Sequence, residues 1–153
     1  MKPKMLIFAV AGIFLVGALF AFSQFQRDIY ESKRVLKLPG QDVSLIEVNT
    51  SATRTRGLSG TKKLPENSGM LFTFDEADKH GIWMKDMYFP IDIFWINENY
   101  MITHIQENVS PDTYPTVFYP KEKSLYVLET NAGFAEKYDL KSGNMLQFIT
   151  TNH

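Results

Sequence analysis

Residues 81–96, GIWMKDMYFPIDIFWI, decide the fold class. The stretch is apolar enough to be a hairpin buried in a core, and Pro90, which lacks an N–H, must sit at a non-donating position at the hairpin mouth. It predicts two neighbouring strands, near 80–85 and 91–97. The same stretch poses the functional question, because Lys85, Asp86 and Asp92 stand among Trp, Met, Phe and Ile. A charge buried without a partner costs several kcal/mol, so each must find one.

In extended chain Trp83 and Lys85 share a face, as do Asp92, Phe94 and Ile96. A four-residue loop pairs Trp83 with Asp92 and leaves Lys85 on their side; a five-residue loop separates the charges. The shorter loop is favoured because it partners both charges.

Outward from this hairpin the texture is uniform. Short apolar runs broken by Gly, Pro, Asn and Asp predict further strands near 42–48, 70–74, 100–106, 124–129 and 145–150. Asn97, Glu98 and Asn99 make a tight turn. Two short helices interrupt the strands. One is capped by Thr50 or Ser51 and stopped by Gly57 or Gly60; the other starts near Asn131, stops near Asp139 and packs Phe134 inward. The expected fold is mainly β: a small barrel-like antiparallel domain over 42–150, closed or nearly so to remove exposed edges. The segment 107–123 is long for a loop and holds three prolines with Tyr114, Phe118 and Tyr119. It is read either as a stiffened loop plugging one barrel end or as a flap over a ligand.

Upstream, residues 24–41 read as a linker, and residues 1–23 as a signal-anchor or signal peptide. Met5 to Phe22 carries no charge and follows Lys2 and Lys4. Eighteen helical residues span about 27 Å, close to a hydrocarbon core, and the lysines set the N-terminus inside. The run exceeds the usual signal-peptide core, which favours a retained anchor; Ala21 and Ser23 leave a cleavage site open. Either way the folded domain is expected outside the cytoplasm: membrane-anchored, or secreted or periplasmic if the helix is cleaved.

Composition narrows the function. The chain has no cysteine, which excludes disulfides, a lipoprotein anchor and thiol chemistry. Without residues 1–22, which hold two lysines and no acids, 14 basic and 17 acidic side chains remain, a formal charge of −3. That leaves no basic stripe for nucleic acid. His80, His104 and His153 form no helical pair, so no metal or other cofactor is expected. No serine stands in a nucleophile elbow.

The order of motifs resembles the uncharacterised family known as domain of unknown function 192. The residues that carry the resemblance are Arg54, Arg56, Gly57 and Leu58; Gly69 to Phe72; Trp83, Met84 and Lys85; Pro90 and Asp92; and Leu128, Glu129 and Gly133. It runs from about Val43 to Phe148. Asp86 stands where the family more usually has asparagine, Met87 where it has a small hydroxyl residue, and Asn144 where it often has aspartate. The resemblance implies a compact β-rich domain, often exported or membrane-attached, and no established reaction.

The candidate site is Arg56, Trp83, Lys85, Asp92 and Glu129. Glu129 ends an inward stripe with Leu125 and Val127. Arg54 and Arg56 point apart if helical, and Arg56 is taken as the one facing the domain. These groups form either a buried network, Arg56 with Glu129 and Lys85 with Asp92, or the wall of a pocket. In the pocket Trp83 stacks on a ligand while the charges hold its polar groups, as a saccharide or another polar or anionic ligand requires. Two rival functions remain. One is a hydrolase using Asp92 and Glu129, for which separations of roughly 5–5.5 Å and 6.5–9.5 Å distinguish the stereochemical routes. The other is a scaffold meeting an envelope protein through Tyr114, Phe118 and Tyr119.

Overall fold

A computed structural model describes residues 33–151. The expected N-terminal helix over 1–23 and the first part of the linker lie outside the described residues. Among the described residues, no helix is long and apolar enough to cross a membrane.

The protein is mainly β, with two short helices, one seven-stranded sheet and one two-stranded sheet. The strands are β1 (Lys33–Leu38), β2 (Gln41–Val48), β3 (Ser68–Asp78), β4 (Ile82–Trp83), β5 (Ile91–Ile96), β6 (Ile102–Val109), β7 (Val117–Phe118), β8 (Ser124–Asn131) and β9 (Gln147–Thr151). The helices are α1 (Ser51–Arg56) and α2 (Phe134–Lys137). The large sheet runs β6-β5-β8-β3-β2-β1-β9, and β4 pairs with β7. The Met101↔Met145 bridge and the Leu146 N–H to Tyr100 carbonyl bond join residues flanking the two ends of this order.

Three expectations need correction. The linker contains β1, which lies between β2 and β9. Its charges hid it. Lys37 meets Asp42 directly opposite on β2 at 2.6 Å, and Arg34 meets Glu47 at 3.1 Å, while Leu36 is fully buried between them. The sheet is also not wholly antiparallel, since β2 and β3 run parallel. Parallel neighbours require a long crossover. Here residues 49–67 supply it, and they carry α1.

The third correction concerns the opening hairpin, which does not form. β5 pairs with β6 and β8, whereas β4 leaves the large sheet and pairs with β7. All six residues of β5 are buried. Phe94 and Ile96 join one apolar cluster with Leu36, Leu45, Leu71 and Leu128; Ile93 and Trp95 join the other with Met70, Phe72 and Val127. A strand covered on both faces reads as an unbroken apolar run, and that reading says nothing about which strands flank it.

The second cluster positions the site. The crossover drops Leu58 and Leu64 onto that face of the sheet, and the β4 region adds Ile82 and Met84. The segment 107–123 neither stays a loop nor buries all its aromatics. β6 extends to Val109, a short 3-10 turn covers Pro111–Thr113, and β7 lays Phe118 against the cluster while leaving Tyr114 and Tyr119 exposed.

Candidate functional site

A cleft of about 310 Å³ opens between the crossover and the β4 segment. Its construction follows from local chemistry. Thr50 caps α1 in a reciprocal pair with Thr53, fixing where the helix starts. Gly57 ends it at φ 49, and a β-carbon there would sit 3.2 Å from the Phe72 ring. Only glycine allows both that backbone and that approach. Across the cleft, the Ser59 hydroxyl donates to the Lys85 carbonyl at 2.8 Å and the Gly60 N–H to the Asp86 carbonyl at 2.9 Å. Asp86 there has φ 54, a conformation that aspartate and asparagine adopt more readily than other side chains. The two walls are thus tied at their base.

Of the five candidate residues, Arg56, Trp83 and Glu129 line this cleft. Glu129 is 5% exposed. Its carboxyl forms no hydrogen bond or ion pair among the described residues, and burial pushes it up to about 8. At neutral pH it is mostly a carboxylic acid, with one O–H to donate and a carbonyl to accept. Trp83 is 44% exposed, and Arg56 is exposed at the rim.

Lys85 and Asp92 are placed differently. Lys85 is exposed outside the cleft lining, its Nζ 5.8 Å from the Trp83 ring centre. Asp92 is fully buried elsewhere. One carboxylate oxygen accepts the Asn108 N–H at 2.8 Å and the other the Ala135 N–H at 2.9 Å. Asn108, at φ 51, sits where the β5–β6 register shifts, so Asp92 pins a bulge. Ala135 is in the first turn of α2, whose Gly133 cap has no side chain to offer, so Asp92 caps that helix from β5, on the same face of the sheet. Neither expected pair, Arg56 with Glu129 or Lys85 with Asp92, forms among the described residues.

Register also removes the carboxylate pair. Asp92 is opposite Thr130 and Ile93 is opposite Glu129. Residues directly opposite share a face and neighbours alternate, so the two carboxyls point to opposite sides of the sheet. No substrate reaches both.

Sequence reasoning missed Arg54, Phe72 and Phe74 in the cleft wall. Arg54, not Arg56, is the arginine drawn inward. It donates to the carbonyls of Asn49 and Thr73, lies 5.0 Å from the Phe74 ring centre and stands 3.8 Å from the Asp75 carboxylate. The alternation Phe72, Phe74 along β3 was a readable signal; nothing in the sequence foretold the carbonyls that hold Arg54. Among the described residues, no group of three or more His, Asp or Glu could hold a metal ion.

The family model of DUF192, described as uncharacterized ACR, matches residues 34–148. The chain belongs to this family. A similar solved structure is a protein from Sinorhizobium meliloti 1021 described provisionally as a transcription regulator, 29% identical, with a TM-score of 0.71 over 78% of this chain and 95% of that one. Another is a protein of unknown function from Novosphingobium aromaticivorans DSM 12444, 24% identical, with a TM-score of 0.68 over 75% of this chain and 83% of that one. No functionally curated protein matches the chain. Family membership therefore brings a fold and an unestablished activity.

Proposed function

We propose that this chain is an exported, membrane-anchored binding domain, whose barrel-like sheet presents a cleft for a polar or anionic small molecule of saccharide type. One observation carries the reading: the Glu129 carboxyl, almost fully buried and without a hydrogen bond or ion pair among the described residues, lines a cleft that solvent can enter. No buried side-chain oxygen among the described residues is left unsatisfied, so this carboxyl is served by cleft solvent, which a ligand hydroxyl can replace. Phe72, Phe74 and Trp83 supply apolar surface for a ring, and Arg56 supplies a cation with no ion-pair partner among the described residues. The arginines disfavour a cationic ligand. Anchoring rests on the uncharged run Met5–Phe22 behind two lysines.

The description of the Sinorhizobium relative raises DNA binding. A formal charge of −1 over the whole chain argues against it here, since phosphate contacts need clustered lysine and arginine.

The test is thermal melting of the full chain, purified in detergent, against neutral sugars, sugar acids and small carboxylic acids. A ligand that binds only the folded form at a hundredfold excess over its Kd adds about 2.7 kcal/mol. A saturable rise in Tm, lost in Glu129→Leu, supports the reading; a flat panel overturns it. The mass of the chain recovered from membranes separates an intact anchor from a cleaved signal peptide.

A further inference from the structure

Resting on the cleft reading above, we propose that the ligand is a chain of sugar acids, its terminal unit in the cleft and its next units lying across the exposed Trp83–Tyr114 corner. At about 310 Å³ the cleft is at the small end of ligand pockets, which run from roughly 300 to 1,000 Å³, and suits one ring better than several. Trp83 belongs to both regions. It lines the cleft, yet it is 44% exposed, and its ring meets that of Tyr114 edge-on at 6.1 Å and 64°. Tyr114 is itself 46% exposed. Aromatic side chains in contact therefore stand both in the cleft wall and just outside it.

Backbone pairing holds that surface in place. Trp83 is opposite Val117 in the β4–β7 pair, and Tyr114 lies just before β7. Gly81, a cleft residue, is pressed by the next aromatic: a β-carbon there would meet the Tyr119 ring at 2.6 Å and Val117 at 2.7 Å. Because the two rings meet edge to face, they form a corner and not a flat row: one sugar ring stacks on Trp83 and the next, turned at the glycosidic bond, meets Tyr114, while their hydroxyls stay wet. Charge favours an acidic chain. Arg56 at the rim and Lys85 beside Trp83 form no ion pair among the described residues, and carboxylates repeating along a chain give each a partner. Asp86, next to Lys85, opposes this, and the neutral oligomer series below measures the balance.

The experiment is calorimetric titration of the full chain in detergent with galacturonic acid and its oligomers of two to four units, beside the N-acetylglucosamine oligomers as a neutral series. Each aromatic stack gained is expected to tighten binding roughly fivefold to tenfold, so the acidic trimer should bind markedly better than the monomer. Tyr114→Ala, checked for unchanged melting, should abolish that gain with length. Acidic monomer binding with no gain in longer oligomers overturns the extended site and leaves the cleft reading standing. A gain that survives in Tyr114→Ala overturns the assigned corner, and an equal gain in the neutral series overturns the acidic chain. If no oligomer of either series binds, this proposal falls, and the cleft reading is decided by its own melting panel.

Discussion

Asp92 and Glu129 lie on adjacent strands one register step apart, yet their carboxyls face opposite sides of the sheet. The difference in side sets their chemistry. Asp92 meets two backbone N–H donors and is a structural clasp; Glu129 meets a cleft and has no hydrogen-bond or ion-pair partner among the described residues.

The clasp has a measurable cost. Asp92→Ala leaves the buried Ala135 N–H and the part-buried Asn108 N–H without their acceptor, and at about 1–3 kcal/mol each the protein should lose about 2–6 kcal/mol, nearer the lower end because water can reach Asn108. Asp92→Asn should lose less, because its amide oxygen still accepts one of the two bonds. Urea denaturation measures both. Normal stability in Asp92→Ala, with loss of ligand binding, would return Asp92 to the site.

Glu129 should make stability fall as pH rises. Its folded pKa, about 8, lies above the unfolded value of 4.5, so between them the native state holds a proton that the unfolded chain has lost. The favourable contribution is complete below 4.5 and is lost progressively up to about 8, at no more than about 1.4 kcal/mol per pH unit. Glu129→Gln should flatten this slope and be the more stable protein at pH 8. Denaturation at pH 5, 6.5 and 8 checks it; parallel curves for the two proteins would contradict the assignment.

How much of this was legible depended on the reach of each interaction. The buried β5 and the inward placing of Val127 and Glu129 follow from patterns within one strand and were readable, whereas Leu125, expected on the same stripe, is partly buried and packs against the other cluster. The partner of β4 was not, because two residues at 82–83 pair with two at 117–118 across the chain. β1 was obscured by lysines and arginines whose acidic partners stand on the next strand. Asp92 was recognised as a buried charge needing a partner, but its partners are N–H groups exposed by a bulge and a helix start, and backbone donors leave no mark in a sequence.

The two arginines should separate stability from binding. Arg54→Ala removes the donor to two carbonyls and the cover over Phe74, and should cost about 1–3 kcal/mol. Arg56 is exposed and makes no ion pair among the described residues, so Arg56→Ala should stay within about 0.5 kcal/mol of the parent. It should instead weaken any anionic ligand found by the melting panel. The reverse order of stabilities would mean that α1 is held from its other side.

Lys85 gives the sharpest contrast between a charge that holds the fold and one that serves a surface. Had it been the buried partner of Asp92, Lys85→Ala would strand a carboxylate and cost about 3–5 kcal/mol. It is exposed, and its contact with Trp83 at 5.8 Å is a cation–π approach in water, where such contacts contribute about 0.5–1 kcal/mol. Lys85→Ala should therefore melt close to the parent. If the Trp83 face receives a ligand, the same substitution should weaken binding of acidic oligomers more than of neutral ones, and added salt should shrink that difference. A large drop in melting temperature in Lys85→Ala would show that the 84–89 segment relies on this lysine, and the cleft wall would then have to be redrawn around it.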